Sequence, residues 1–241
     1  GMLNIRRVEQ LVKTLADIQN SGHEVILVSS GAIGLGMGKL GLRERPKDTP
    51  GKQACAAVGQ CELMYLYDNL FAEYSITVAQ MLLTKYILLE DRRKNVENAM
   101  ERLIAHGVIP IINENDTVAI DELELEVGEN DSLAATVAAI AKADLLIIMS
   151  DIDGLYDKDP HTYDDARLIP VVHEITDDIR ALAGGAGTKL GTGGMITKLN
   201  AVEIAYDSDI DVVLMNGQHP KTLYDLFDGK TVGTFFCKKP D

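Results

Sequence analysis

Tryptophan is absent from this chain of 241 residues, and aromatic residues make up only 5% of it. So few flat side chains leave little on which to stack nucleobases. Basic residues are also in deficit: 23 Lys and Arg stand against 37 Asp and Glu, a formal net charge of −14. A chain that coats nucleic acid carries the opposite balance. Cysteine is scarce, and Cys55, Cys61 and Cys237 make neither a disulfide framework nor a CxxC pair. Reduced thiols in a cytoplasmic protein are the expectation. His23, His106, His161, His173 and His219 are scattered, and Asp151, Asp153, Asp157 and Asp159 lack EF-hand spacing, so no dedicated metal cage is expected. No apolar run approaches the roughly 18 residues that cross a bilayer. The opening GMLNIRR turns polar too soon for a signal peptide. No internal repeat or low-complexity stretch occurs.

What is present is an ordinary globular mix, 46% hydrophobic and 25% charged. The length predicts one large domain or two lobes. Apolar spacing of three and four predicts a helix over 4–20, with Gly22 beyond its end. Short β-branched runs at 24–29, 76–83, 108–112, 145–149 and 211–215 read as strands, with a last one at 232–235. Helices are expected at 50–74, 91–106, 132–143, 176–183, 195–206 and 220–227, and an exposed acidic hairpin at 117–127. Gly31–Gly41 reads as loop or a short broken helix, its glycines implying close backbone approach to something. A loop with a possible short hairpin is expected after Asp151. Strands alternating with helices predict an open α/β fold with a mostly parallel sheet. Ligands in such folds sit beyond the carboxyl ends of the strands.

Four polar clusters follow strands directly: Ser29-Ser30-Gly31, Asn113-Glu114-Asn115-Asp116, Ser150-Asp151 and Asn216-Gly217. Parallel strands put them on one edge. Serine hydroxyls and free backbone N–H groups can hold an anion there, or simply cap a turn. The Asn and Asp of 113–116 can bind an α-amino group and an α-carboxylate, or form a turn. Asp131 reads equally as an N-cap, with the Asn130 amide aimed at the same edge. Residues 191–198 (GTGGMITK) are a glycine-rich entry to a helix, neither a Walker A loop nor GxGxxG. Bare N–H groups, a helix N-terminus and Lys198 nonetheless suit polyphosphate, although a plain surface loop has the same composition.

Seven segments in order, VSSGAIGLG (28–36), KQACAAVGQCELM (52–64), QMLLT (80–84), PIINENDTV (110–118), GENDSLAA (128–135), DIDGLYDKDP (151–160) and LGTGGMITK (190–198), resemble the amino acid kinase family. Within it they resemble the branch acting on the side chain of glutamate; aspartokinases, carbamate kinases and uridylate kinases have different acceptor-binding runs. The resemblance implies a three-layer α/β/α sandwich with a mostly parallel central sheet. It implies one domain over 1–241, with acceptor-binding part about 1–145 and nucleotide-binding part about 146–241. The implied reaction moves the γ-phosphoryl group of ATP to the side-chain carboxylate of L-glutamate, the first step of proline biosynthesis. Ser30, Asp116 and Asn130 would hold glutamate. Ser150, Asp151 and the run Thr192, Gly193, Gly194, Met195, Ile196, Thr197 and Lys198 would hold ATP. Lys198 would stabilise the transferring charge, Asp131 would orient catalytic lysines, and Mg2+ would arrive with the nucleotide. L-proline is the implied feedback inhibitor and a homo-oligomer, dimer or tetramer, the implied assembly, with no nucleic-acid or membrane partner. The family's opening strand, with Lys-x-Gly-Ser/Thr, is expected to be absent or unresolved here, and no C-terminal PUA domain is expected. The alternatives are a related phosphotransferase acting on aspartate, N-acetylglutamate or a nucleoside monophosphate, or a regulatory module that binds without turnover.

Overall fold

The structure, a computed structural model, describes residues 4–84, 90–118, 130–183 and 192–238. The chain divides into two compact units between Asn130 and Asp131. In the first, α1 (Ile5–Asn20) starts where the Asn4 side chain accepts the Arg7 N–H at 3.1 Å, and it buries Val12, Ala16 and Ile18. Gly22 follows its end at φ +101°. The strand expected at 24–29 is reduced to β1 (Leu27–Val28), half-buried rather than covered on both faces.

The glycine-rich stretch after it is a helix, α2 (Ala32–Lys39), packed on α3 (Thr49–Ala72). A Cβ on Gly36 would lie 1.8 Å from the Cys55 carbonyl oxygen, and one on Gly59 would lie 1.7 Å from that of Ala32. The close approach implied by these glycines is therefore between two helix backbones, and the contact outweighs the poor helix propensity of glycine. Next come β2 (Val78–Leu83), α4 (Glu90–Ala105) and β3 (Ile109–Glu114). All three strands are parallel in the order β1-β3-β2, and Ile109, Ile111 and Ile112 on the central strand are fully buried. β3 runs on into Asn113 and Glu114, so half of the expected post-strand turn is strand. The hairpin expected at 117–127 lies outside the described residues beyond Val118.

The second unit holds α5 (Asn130–Ala141, which starts one residue ahead of the boundary), β4 (Leu145–Ser150), β5 (Val171–Val172), α6 (Asp177–Ala183), α7 (Thr192–Tyr206), β6 (Asp211–Asn216), α8 (Thr222–Phe227) and β7 (Thr234–Phe236). Its strand order is β4-β6-β7-β5, with only the β6–β7 pair antiparallel. The short hairpin suspected after Asp151 is a single antiparallel bridge, Tyr156 to Leu168. Leu146, Ile148, Leu199, Val202, Val212 and Leu214 lead its core, and Ala135 and Ala138 of α5 belong to the same cluster. That packing puts α5 with the second unit, whereas the sequence had suggested a division near 145. The fold is α/β with open, mostly parallel sheets, as expected. The described strands nevertheless form two sheets rather than one central sheet, with β1 and β4 each laddered on one side only.

Candidate functional site

Parallel pairing places the polar strand ends together within each unit. Val28 is level with Ile112, so Ser29-Ser30 and Asn113-Glu114 leave the same edge of the first sheet. Ser29 is buried and anchored three ways. Its N–H donates to the Ile112 carbonyl at 2.8 Å, its Oγ lies 3.1 Å from the Tyr67 hydroxyl, and its carbonyl accepts the Asn130 Nδ2 at 2.9 Å. Burial pushes the Tyr67 hydroxyl pKa up, against the Ser29 bond, which lowers it. Since the Asn130 NH2 faces Ser29, its Oδ1 is turned the other way as an acceptor. Ser30 is exposed one residue on, followed by Gly31 at φ +95°.

Asn113 is buried, with Nδ2 donating to Gln60 Oε1 at 2.9 Å and Oδ1 accepting the Glu114 N–H at 2.9 Å. Gln60 Nε2 donates in turn to Gln80 Oε1 at 3.0 Å. Gln60, Glu114, Asn115 and Asp116 line a small pocket. Burial raises the Asp116 carboxyl above its ordinary range, and the positive charge of Arg45 partly offsets this. The edge thus offers neutral amides and hydroxyls beside two half-buried carboxylates, Glu114 and Asp116.

In the second unit, Ser150 is level with Asn216, and the Gly217 N–H donates to the Ser150 carbonyl at 2.7 Å. The Ser150 hydroxyl donates to Asp151 Oδ1 at 3.1 Å, and Asn216 Nδ2 donates to Asp153 Oδ1 at 2.7 Å. A cavity of about 510 Å³ opens beyond these strand ends, with Asp153, Asn216, His219, Thr222, Asp225 and Lys230 among its walls. That size suits a small-molecule ligand. Thr192 to Lys198 form the first two turns of α7, whose leading N–H groups have no carbonyl partner within the helix. Lys198 Nζ donates to Asp131 Oδ2 at 2.8 Å, with the two side chains only 14% and 21% exposed. A pair this covered resists salt screening more than a surface bridge, and losing either partner strands a charge.

The structure therefore joins Lys198 to Asp131 and Ser150 to Asp151, and ties Asn130 to the residue before Ser30. Asp131 stands in the first turn of α5 rather than ahead of it. Gly191, which opens the glycine-rich run, lies outside the described residues. Sequence reasoning missed Tyr67, Gln60 and Gln80; it placed Asn216 at a polar strand end and weighed Asp153 only as a metal ligand, without their mutual bond. The available signal was a glutamine among the small and apolar residues of 54–63.

A family model described as the amino acid kinase family matches residues 4–216. A glutamate 5-kinase from Clostridium perfringens is 50% identical over 99% of this chain and 90% of its own length. One from Clostridium tetani is 53% identical over 98% and 88%. Among solved structures, T. acidophilum isopentenyl phosphate kinase in a product complex is similar with a TM-score of 0.61 at 19% identity, covering 98% of this chain and 92% of that one. An isopentenyl phosphate kinase substrate complex gives 0.65 at 18% identity with the same coverage. At that identity the likeness speaks for the fold alone.

Proposed function

The chain belongs to the amino acid kinase family, and from that premise we propose that it transfers the γ-phosphoryl group of ATP to the side-chain carboxylate of L-glutamate, giving L-glutamyl 5-phosphate for proline biosynthesis. The observation that carries the reading is the covered pair of Lys198, in the second turn of α7, and Asp131, in the first turn of α5. The acceptor is already a carboxylate, so no general base is required, and catalysis reduces to positioning and charge neutralisation. Lys198 supplies the cation for the transferring phosphoryl group, and Asp131 holds that cation in place. The leading N–H groups of α7, at Thr192, Gly193 and Gly194, receive phosphate oxygens, and Met195, Ile196 and Thr197 complete the turn that faces the nucleotide. Ser150 and Asp151 stand at the nucleotide, and the cavity beside Asp153 and Asn216 takes its nucleoside part.

On the acceptor side, Asp116 meets the α-ammonium of glutamate, joined by the outward Oδ1 of Asn130, and Ser30 with the following N–H groups takes a carboxylate. Mg2+ would arrive with ATP and would supply neutralisation of phosphate charge, with Ser150 and Asp151 the residues to hold it. Among the described residues no three His, Cys, Asp or Glu side chains converge on a metal position. The oxygen donors Ser150 and Asp151 fit an ion held mainly by phosphates and water.

L-proline shares the ammonium and α-carboxylate of glutamate, which supports its assignment as a feedback inhibitor at the same groups. A homo-oligomer and a cytoplasmic setting complete the proposal, the latter supported by three unpaired cysteines. No helix among the described residues is long and apolar enough to cross a membrane.

The test is Mg-ATP-dependent ADP release and acyl-hydroxamate formation with L-glutamate, beside L-aspartate, N-acetylglutamate and a nucleoside monophosphate. Hydroxamate from glutamate alone is expected. Preference for another acceptor, or ligand binding without ADP release, contradicts the proposal.

A further inference from the structure

The amide chain on the acceptor side has a direction, and one backbone group sets it. The Glu114 N–H can only donate, so the Asn113 atom 2.9 Å from it is the oxygen Oδ1. Asn113 Nδ2 is then turned to Gln60, whose Oε1 accepts at 2.9 Å. Gln60 is left with its Nε2 toward Gln80, and donates to Oε1 there at 3.0 Å. Three side chains from β3, α3 and β2 are thereby oriented in series. Asn113 is 3% exposed and Gln60 9%, so water cannot freely replace either partner, while Gln80 is exposed and free to turn. Gln60 also lines the pocket that holds Asn115 and Asp116.

We infer that Gln60 is a positioning residue for the acceptor subsite: through Asn113 it fixes the 113–116 segment, and with it the Asp116 carboxylate. This rests on the reading of the site given above and adds a residue to it. Gln60 already spends its oxygen on Asn113 and an N–H on Gln80, so it acts on the segment rather than on the reacting atoms. Gln60→Leu removes the acceptor and leaves the buried Asn113 Nδ2 unpaired. Gln60→Glu keeps an acceptor for Asn113, and the exposed Gln80 amide can turn to donate to it.

The test measures KM for L-glutamate and for ATP, and kcat, in the wild-type chain and both variants. Gln60→Leu is expected to raise KM for glutamate about tenfold or more, with KM for ATP within about twofold. Gln60→Glu is expected to restore KM for glutamate to within about threefold of wild type. A folded Gln60→Leu chain with unchanged KM for glutamate, an equal rise in both KM values, or a Gln60→Glu chain as impaired as Gln60→Leu overturns the inference. If Gln60→Leu does not fold, 15N-labelled wild-type protein decides. Side-chain amide protons of Asn113 and Gln60 that exchange slowly and shift on addition of glutamate support the inference; rapid exchange and no shift overturn it. A wild-type chain that never turns over glutamate defeats the parent reading itself, whereas an active wild type beside an unaffected Gln60→Leu defeats this inference alone.

Discussion

The polar strand ends of the two units are built from different chemistry. In the first unit they are mostly neutral: Ser29 bonds Tyr67 and Asn130, and Asn113 bonds Gln60, with the carboxylates of Glu114 and Asp116 at the small pocket that Gln60 lines. In the second, Lys198 and Asp131 form a covered ion pair, α7 begins with the glycine-rich run from Thr192, and a cavity of about 510 Å³ lies beyond the strands. A small zwitterion is recognised by counted donors and acceptors at fixed angles, which needs rigid amides. A polyphosphate in transfer needs positive potential and room, which a lysine and unpaired N–H groups provide. Under the proposed function, selection falls to one unit and charge handling to the other.

The sharpest way to break that division is Lys198→Met. Turnover should fall by about two to three orders of magnitude, the usual loss when one donor to a developing charge is removed. Near-normal kcat in steady-state rates would end the assignment of Lys198. Asp116→Asn comes next. Loss of a charged hydrogen-bond partner should raise KM for glutamate about 10- to 100-fold and leave KM for ATP unchanged.

The same carboxyl gives a pH dependence with a definite sign. Folded Asp116 holds its proton more tightly than the unfolded group does. Its contribution therefore favours the fold below the ordinary carboxylate range and is lost as pH rises through the raised pKa. Ammonium binding runs the other way, weakening as pH falls through that same window. Asp116→Asn should flatten both profiles, read by thermal melts and by KM for glutamate across acidic pH.

Two smaller effects sharpen the picture of how the first unit holds its edge. Gly59→Ala drives a methyl into the Ala32 carbonyl and should cost about 1–3 kcal/mol or more in a denaturant melt. Tyr67→Phe deletes the bond to Ser29 and should cost only about 0.5–1.5 kcal/mol, with a modest change in KM for glutamate.

Much of this was legible in the sequence, and the exceptions share a cause. The runs 108–112 and 211–215 read as strands because β3 and β6 are buried centrally in their sheets, so nearly every position is apolar. β5 escaped notice because only two residues pair, one of them exposed. Gly31–Gly41 read as loop or a short broken helix because local propensity disfavours a glycine helix, while its real determinant is α3, against which Gly36 packs and whose Gly59 meets Ala32. Lys198 and Asp131 were singled out from their motifs as candidates, but their contact joins positions 67 apart. Gln60 and Gln80 fall in the segments 52–64 and 80–84 that carry the resemblance, but no role was read for either. Their part depends on Asn113, 53 residues from Gln60, and on one backbone N–H that fixes the direction of the chain.

The division of labour is tested most directly by titrating L-glutamate into Lys198→Met by calorimetry and comparing it with the wild-type chain. The account predicts wild-type affinity for glutamate in a variant that barely turns over. Glutamate affinity lost together with turnover would contradict it, since the cation of the second unit would then be part of acceptor recognition.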